Sequence, residues 1–157
     1  MAYDSFDVVV CVKSVPGVDF PKFATPGSAC FDIAAHLPDG SVEIPPGEHA
    51  FIPTGLFFYF PKEWECQIRP RSGLSNKKCL LIPNSPGTID SDYSGEIKVG
   101  LLNLSKDTVV ISHKERIAQG KMERVWNVGL TSISEDEFKA VHGLSLRGDG
   151  GFGSTGS

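Results

Sequence analysis

The sequence predicts an all-β fold, a jelly-roll-like barrel with one short helix and a flexible glycine-rich C-terminal arm, and three observations predict it. Several short apolar segments alternate with polar residues at the two-residue period of a half-buried strand. Turn signals such as PDG, PPG, NSPG and DYSG punctuate the chain between these segments. Helix signals gather in one place only, SEDEFKAVHG at 134–143, where Ser134 and Glu137 match a capping box and Gly143 supplies a stop.

Taken in order, FDVVVCV (6–12) and HAFIPTGLFFYF (49–60) read as strands. WECQIR (64–69) is the clearest strand, with Trp64, Cys66 and Ile68 on one face and Glu65, Gln67 and Arg69 on the other. CLLI (79–82) follows, then EIKVGLLNL (96–104), which sets Ile97, Val99 and Leu101 on a common side. TVVI (108–111) and RIAQGKMERVW (116–126) complete the set. Residues 1–146 are expected to form one barrel domain, with 147–157 as its arm. From Arg147 onward Phe152 is the sole large apolar residue, so the arm has no core of its own and depends on a partner for order.

At 157 residues and 40% hydrophobic content the chain suits a single core. A net charge of −4 argues against a generic nucleic-acid surface, which needs a positive field, while leaving room for a local phosphate site. The longest apolar runs are too short to cross a bilayer, and MAYDSFD carries acids where a secretory leader has basic residues. A cytoplasmic location is therefore expected, in the host if the protein is viral, with no membrane and no nucleic-acid partner. The four cysteines, Cys11, Cys30, Cys66 and Cys79, form no CxxC pair and lie in or beside apolar segments, which reads as reduced core thiols.

Three stretches carry chemistry. In RPRSGLSNK (69–77) an Arg-Ser-Gly exit from a strand, followed by residues able to start a helical turn, offers backbone N–H groups, a hydroxyl and a guanidinium to an anion. In LLIPNSPGTIDSDYSGEIKVG (80–100) a hairpin presents main-chain donors and acceptors to the edge of a planar base. If the chain there is extended, Asp90 and Asp92 share a face, and one can serve as general base for water with a divalent cation on the phosphates. Taken alone, both acids are better explained by a solvated loop. In RGDGGFGSTGS (147–157) glycine N–H groups, Arg147, Ser154 and Thr155 can wrap an anion, and Phe152 can stack on a base.

TPGSACFDIAA (25–35), PRSGLS (70–75), GTIDSDYSGEI (87–97), RIAQ (116–119) and RGDGGFGSTG (147–156) together resemble the ordered motifs of the trimeric dUTPases, the deoxyuridine triphosphate nucleotidohydrolases. The resemblance implies a β jelly roll, a homotrimer with sites built from several subunits, and Mg2+-dependent hydrolysis of dUTP to dUMP and pyrophosphate. Residue by residue, it implies that Asp90 activates the water attacking the α-phosphate and that Tyr93 stacks on the deoxyribose. Asn84 and the main chain of Thr88, Ile89 and Lys98 would line the uracil hairpin. Arg71, Ser72, Gly73 and Gln119 would hold the phosphates, and Asp32 would support the metal through water or orient the phosphate-side arginine. Arg147, Phe152, Gly153, Ser154 and Thr155 would close over a neighbouring subunit's site.

Two departures stand out. Cys30 in ACFD occupies a position usually held by glycine in the family, and Gly120-Lys121 follows RIAQ where large apolar residues are usual. Two other readings fit a chain of this kind: a dCTP deaminase-like enzyme, which the tyrosine of DSDYSG and the complete glycine tail disfavour, and a nucleotide-gated regulatory protein docking a partner through Val128–Leu146.

Overall fold

The computed structural model describes residues 10–143. Residues up to Trp126 form one compact unit and those from Asn127 a second. The arm residues Arg147, Phe152, Gly153, Ser154 and Thr155, and the first part of the expected strand at 6–12, lie outside the described residues.

The first unit is the all-β jelly roll. Its strands are β1 (Cys11–Ser14), β2 (Phe31–Ala34), β3 (Ser41–Ile44), β4 (His49–Pro53), β5 (Leu56–Tyr59), β6 (Trp64–Arg69), β7 (Leu80–Leu81), β8 (Gly87–Ile89), β9 (Lys98–Asn103), β10 (Val109–Ser112) and β11 (Arg116–Arg124). Every pairing is antiparallel. The sheets run β2-β11-β6-β8, β4-β9-β7, β1-β5 and β10-β3.

Cys66 and Ile68 point into the core, as do Ile97, Val99 and Leu101, so the alternation read from sequence is the alternation of burial. Burial of side chains such as Ile33, Ile52 and Ile117 is worth about 1.5–3 kcal/mol each. Two polar side chains share this interior with their hydrogen bonds satisfied. Thr54 donates from Oγ1 to the Ile97 carbonyl at 2.6 Å, and Asn103 donates to the carbonyls of Ile44 and Asp107, both at 2.8 Å.

The segment 49–60 divides at Thr54–Gly55, where Gly55 has φ +66° and any β-carbon would collide with Val15 and Val18. β2, β3 and β8 carry no strand pattern long enough to read from the sequence. β3 and β8 are short, and β2 is a four-residue run interrupted by Asp32.

Among the described residues two helices form, where the sequence signals one helix and, after Arg-Ser-Gly, a helical turn. In the second unit, α2 (Glu135–His142) carries the capping box: Glu137 N–H donates to Ser134 Oγ at 3.2 Å and Ser134 N–H donates to Glu137 Oε2 at 2.8 Å. The additional helix, α1 (Ser72–Lys78), is anchored by buried Leu74. It ends at Cys79 in the left-handed conformation, φ 51°. The sequence signals only a helical turn after Arg-Ser-Gly and not a full helix, because its N-cap, Arg71, makes no side-chain cap and its first turn holds no acid. Cys79 is exposed and Cys30 half-buried, so of the three cysteines whose side chains are described only Cys66 is a core thiol; burial pushes it up to about 12.

The Gly120 departure has a local cause. Gly120 faces Phe31 across the β2–β11 pair, and the Phe31 ring lies where a β-carbon would project. Lys121 pairs with Glu123 on the same strand.

Candidate functional site

The expected site residues within the described chain fall into two clefts. The first, about 410 Å3, gathers Cys30, Asp32, Arg71, Ser72, Gly73 and Gln119, with Arg116 in the same wall. β2 directs Phe31 and Ile33 inward and Asp32 outward, beside its register partner Gln119 on β11. Gln119 is fixed by donating from Nε2 to the Pro70 carbonyl at 2.8 Å. Arg71 enters α1 in extended conformation, so Leu74 and Ser75 N–H donate to its carbonyl while the N–H groups of Ser72 and Gly73 precede the helix ladder. A β-carbon at Gly73 would meet nothing, which leaves its backbone open to an approaching anion.

Asp32 is clamped by two guanidinium groups. Arg71 Nε donates to Oδ1 at 2.8 Å, and an Arg116 terminal nitrogen donates to Oδ2 at 3.0 Å. Arg71 also reaches the Arg116 carbonyl at 3.2 Å. Of the two roles implied for Asp32, the geometry is that of orienting the phosphate-side arginine. Arg116 sits inside the RIAQ motif but was not singled out there; its pairing partner in sequence is 84 residues away. Two arginines against one carboxylate leave the cleft net positive, the sign an anion requires. Cys30 is absent from the non-glycine residues of positive φ and so fits its place without left-handed strain.

The second cleft, about 80 Å3, brings together Asn84, Gly87, Thr88, Ile89, Lys98 and Gly100, with Phe51 at its margin. β8 ends the four-stranded sheet, so its second edge carries main-chain groups without a sheet partner among the described residues. β9 pairs with β4 from Lys98 to Leu102 and with β7 only at Leu102 and Asn103, so one of its edges is open from Lys98 to Leu101. Both strands line the cleft, which offers a flat polar ligand a rung on each side. Asn84 Nδ2 lies 3.1 Å from where a β-carbon on Gly87 would sit, so glycine there admits the close packing of Asn84.

Asp90 follows directly on β8 and is exposed. The chain then turns, with Tyr93 N–H donating to the Asp90 carbonyl at 3.1 Å. Asp90 and Asp92 therefore lie in a turn rather than on one face of an extended segment. Tyr93 folds back over Gly95 and donates from its hydroxyl to the Glu96 carbonyl at 3.0 Å, which holds the ring in place. Sequence reasoning missed the supporting glycines, Gly87 and Gly95, because their role is contact with side chains three residues before or two residues before them and not a turn of their own.

Among the described residues no three His, Cys, Asp or Glu side chains gather as a cation cluster. Both oxygens of Asp32 are taken by arginines, so a divalent cation fits here only as one carried by a ligand's phosphates, reaching Asp32 through water. No helix among the described residues is long and apolar enough to cross a membrane.

Comparison with known proteins identifies the family to which the chain is similar. The dUTPase family model matches residues 17–156. The deoxyuridine 5'-triphosphate nucleotidohydrolase of Bartonella bacilliformis is 42% identical over 156 residues, covering 94% of this chain and 88% of its own. Among solved structures, the Staphylococcus bacteriophage 80alpha dUTPase with dUPNHPP is similar at TM-score 0.77 and 25% identity, over 95% of this chain and 99% of that one. A mutant dUTPase from phage phi11 of S. aureus, which coordinates a structural Mg(II) ion, has the same fold at TM-score 0.72 and 22% identity, over 83% of this chain and 99% of that one.

Proposed function

Because the chain belongs to the dUTPase family, we propose that it is a dUTP diphosphatase, hydrolysing dUTP to dUMP and pyrophosphate. The observation that carries this reading is the cleft between the open edges of β8 and β9, with Asp90 the residue that follows β8. The dUPNHPP carried by the phage 80alpha relative supports a deoxyuridine triphosphate as its ligand.

Uracil presents acceptor, donor and acceptor along its pairing edge. The open main-chain edges of Thr88, Ile89 and Lys98, with Asn84, supply the complement. Cytosine would set its amino group against a main-chain donor, leaving buried polar groups unpaired, the strongest form of discrimination. A 5-methyl group is rejected by stiff backbone. The Tyr93 ring, held by its hydroxyl bond to Glu96, packs on the deoxyribose and leaves no space for a 2′-hydroxyl.

The triphosphate lies along Arg71, Ser72, Gly73 and Gln119, with Arg71 aimed by Asp32. Asp90 accepts the proton of the attacking water at the α-phosphorus. Mg2+ is the proposed cofactor, carried on the phosphates and offsetting their charge when bound. The base cleft and the phosphate cleft share no lining residue; in the proposed homotrimer neighbouring subunits bring one of each together, with Arg147, Phe152, Gly153, Ser154 and Thr155 closing the assembled site. The test is pyrophosphate release from dUTP, dTTP, dCTP and UTP side by side. The reading expects dUTP to exceed the rest; ammonia release from dCTP would indicate deamination instead, and comparable rates for UTP and dUTP would contradict the role of Tyr93.

A further inference from the structure

A third cleft, about 380 Å3, adjoins the phosphate cleft and shares Ala24, Asp32 and Arg116 with it. None of the proposed chemistry uses its remaining walls, which include Phe20, Lys22, His36, His113 and Lys114. Lys22, Lys114 and Arg116 are three cations in a chain of net charge −4. Two carboxylates face them. Asp32 is already held by Arg71 and Arg116, and Asp19 is an exposed residue 3.7 Å from the Lys114 ammonium, a loose pair that an anion can displace.

The histidines add direction. His113 Nδ1 accepts the Leu37 N–H at 3.0 Å, which leaves Nε2 as its free hydrogen-bonding atom. His36 packs edge-on against it, ring centroids 5.5 Å apart, and His36 Nδ1 is buried with no hydrogen-bond partner. His113 therefore offers the cleft a single imidazole nitrogen, Nε2, with His36 packed behind it.

We propose that this cleft is a second anion site, selective for phosphate-class anions and above all for the pyrophosphate released by the reaction. Arg116 couples it to the phosphate cleft. Its side chain is 60% exposed and bonds one oxygen of Asp32, so an anion in the third cleft competes with Asp32 for the guanidinium and loosens the clamp on Arg71. The site itself rests on charge and geometry; only the choice of pyrophosphate rests on the proposed hydrolysis.

The experiment titrates the full-length protein, without nucleotide, with pyrophosphate and follows the imidazole C–H NMR signals, with His49 and His142 as internal controls. Saturable shifts of the His36 and His113 signals are expected. Lys114→Gly removes a cation at φ 65°, a conformation glycine adopts freely, so the fold is kept. This variant should bind pyrophosphate more weakly by at least about fivefold, and should lose the noncompetitive part of pyrophosphate inhibition while its uninhibited kcat/KM for dUTP is unchanged. Saturable histidine shifts in a protein that fails to hydrolyse dUTP support the anion site and refute the activity. Shifts that chloride reproduces at equal ionic strength, or purely competitive inhibition unchanged by Lys114→Gly, overturn the anion site.

Discussion

The Phe31 ring covers the bare α-carbon of Gly120, its register partner on the neighbouring strand, and a β-carbon at 120 would collide with two atoms of that ring. Phe31 also meets Phe23 and Phe58 edge-on, at 5.8 and 5.9 Å, so it has little room to retreat. Gly120→Ala should destabilise the fold by about 1–3 kcal/mol, seen as a fall in melting temperature, and Phe31→Leu in the same chain should recover part of the loss. An unchanged melting temperature in Gly120→Ala would contradict the packing described.

Cys79 closes α1 with φ 51°, where a side chain is strained and glycine is not. Its side chain is exposed, so little packing is lost on removal. Cys79→Gly should raise stability by about 1 kcal/mol, measured by denaturant midpoint. A loss of similar size would show that the thiol makes contacts that matter more than the backbone.

The capping box of α2 makes that helix pH-sensitive. Glu137 is held below its ordinary value of 4.5, first by the Ser134 backbone N–H and then by the Ser134 hydroxyl. A lowered carboxylate stabilises the folded helix above its unfolded value, and this is lost as pH falls through the lowered folded value. Helical NMR shifts of Glu135–His142 should persist at neutral pH and fade below about pH 4.5. Ser134→Ala should weaken the helix by about 1 kcal/mol at neutral pH and remove most of the acid-dependent step. Retention of that step in Ser134→Ala would contradict the pairing.

Truncation after Leu146 removes Arg147, Phe152, Gly153, Ser154 and Thr155, proposed to close over bound nucleotide. Turnover should fall by roughly a hundredfold or more with little change in melting temperature. An equal loss of stability would make the arm a structural element.

Legibility in the sequence followed the length of each pattern. β6 and β9 repeat their alternation over six residues each and stand out, whereas β8 has three residues and β2 four, one of them Asp32. α1 lacks both a cap and an acidic first turn, the two marks that betray α2. The site was legible as motifs, because Arg71, Ser72 and Gly73 are adjacent, as are Thr88, Ile89 and Asp90. What sequence order hides is the division of those motifs between two clefts, and the Asp32 clamp that joins strands β2 and β11 to the start of α1.

The most direct test of the account compares Asp90→Asn with the parent protein for dUTP turnover and for binding of a non-hydrolysable dUTP analogue. Loss of a general base predicts turnover reduced by about a hundredfold or more, with analogue affinity nearly unchanged. Turnover close to that of the parent would contradict the assignment of Asp90 and, with it, the proposed chemistry of the site.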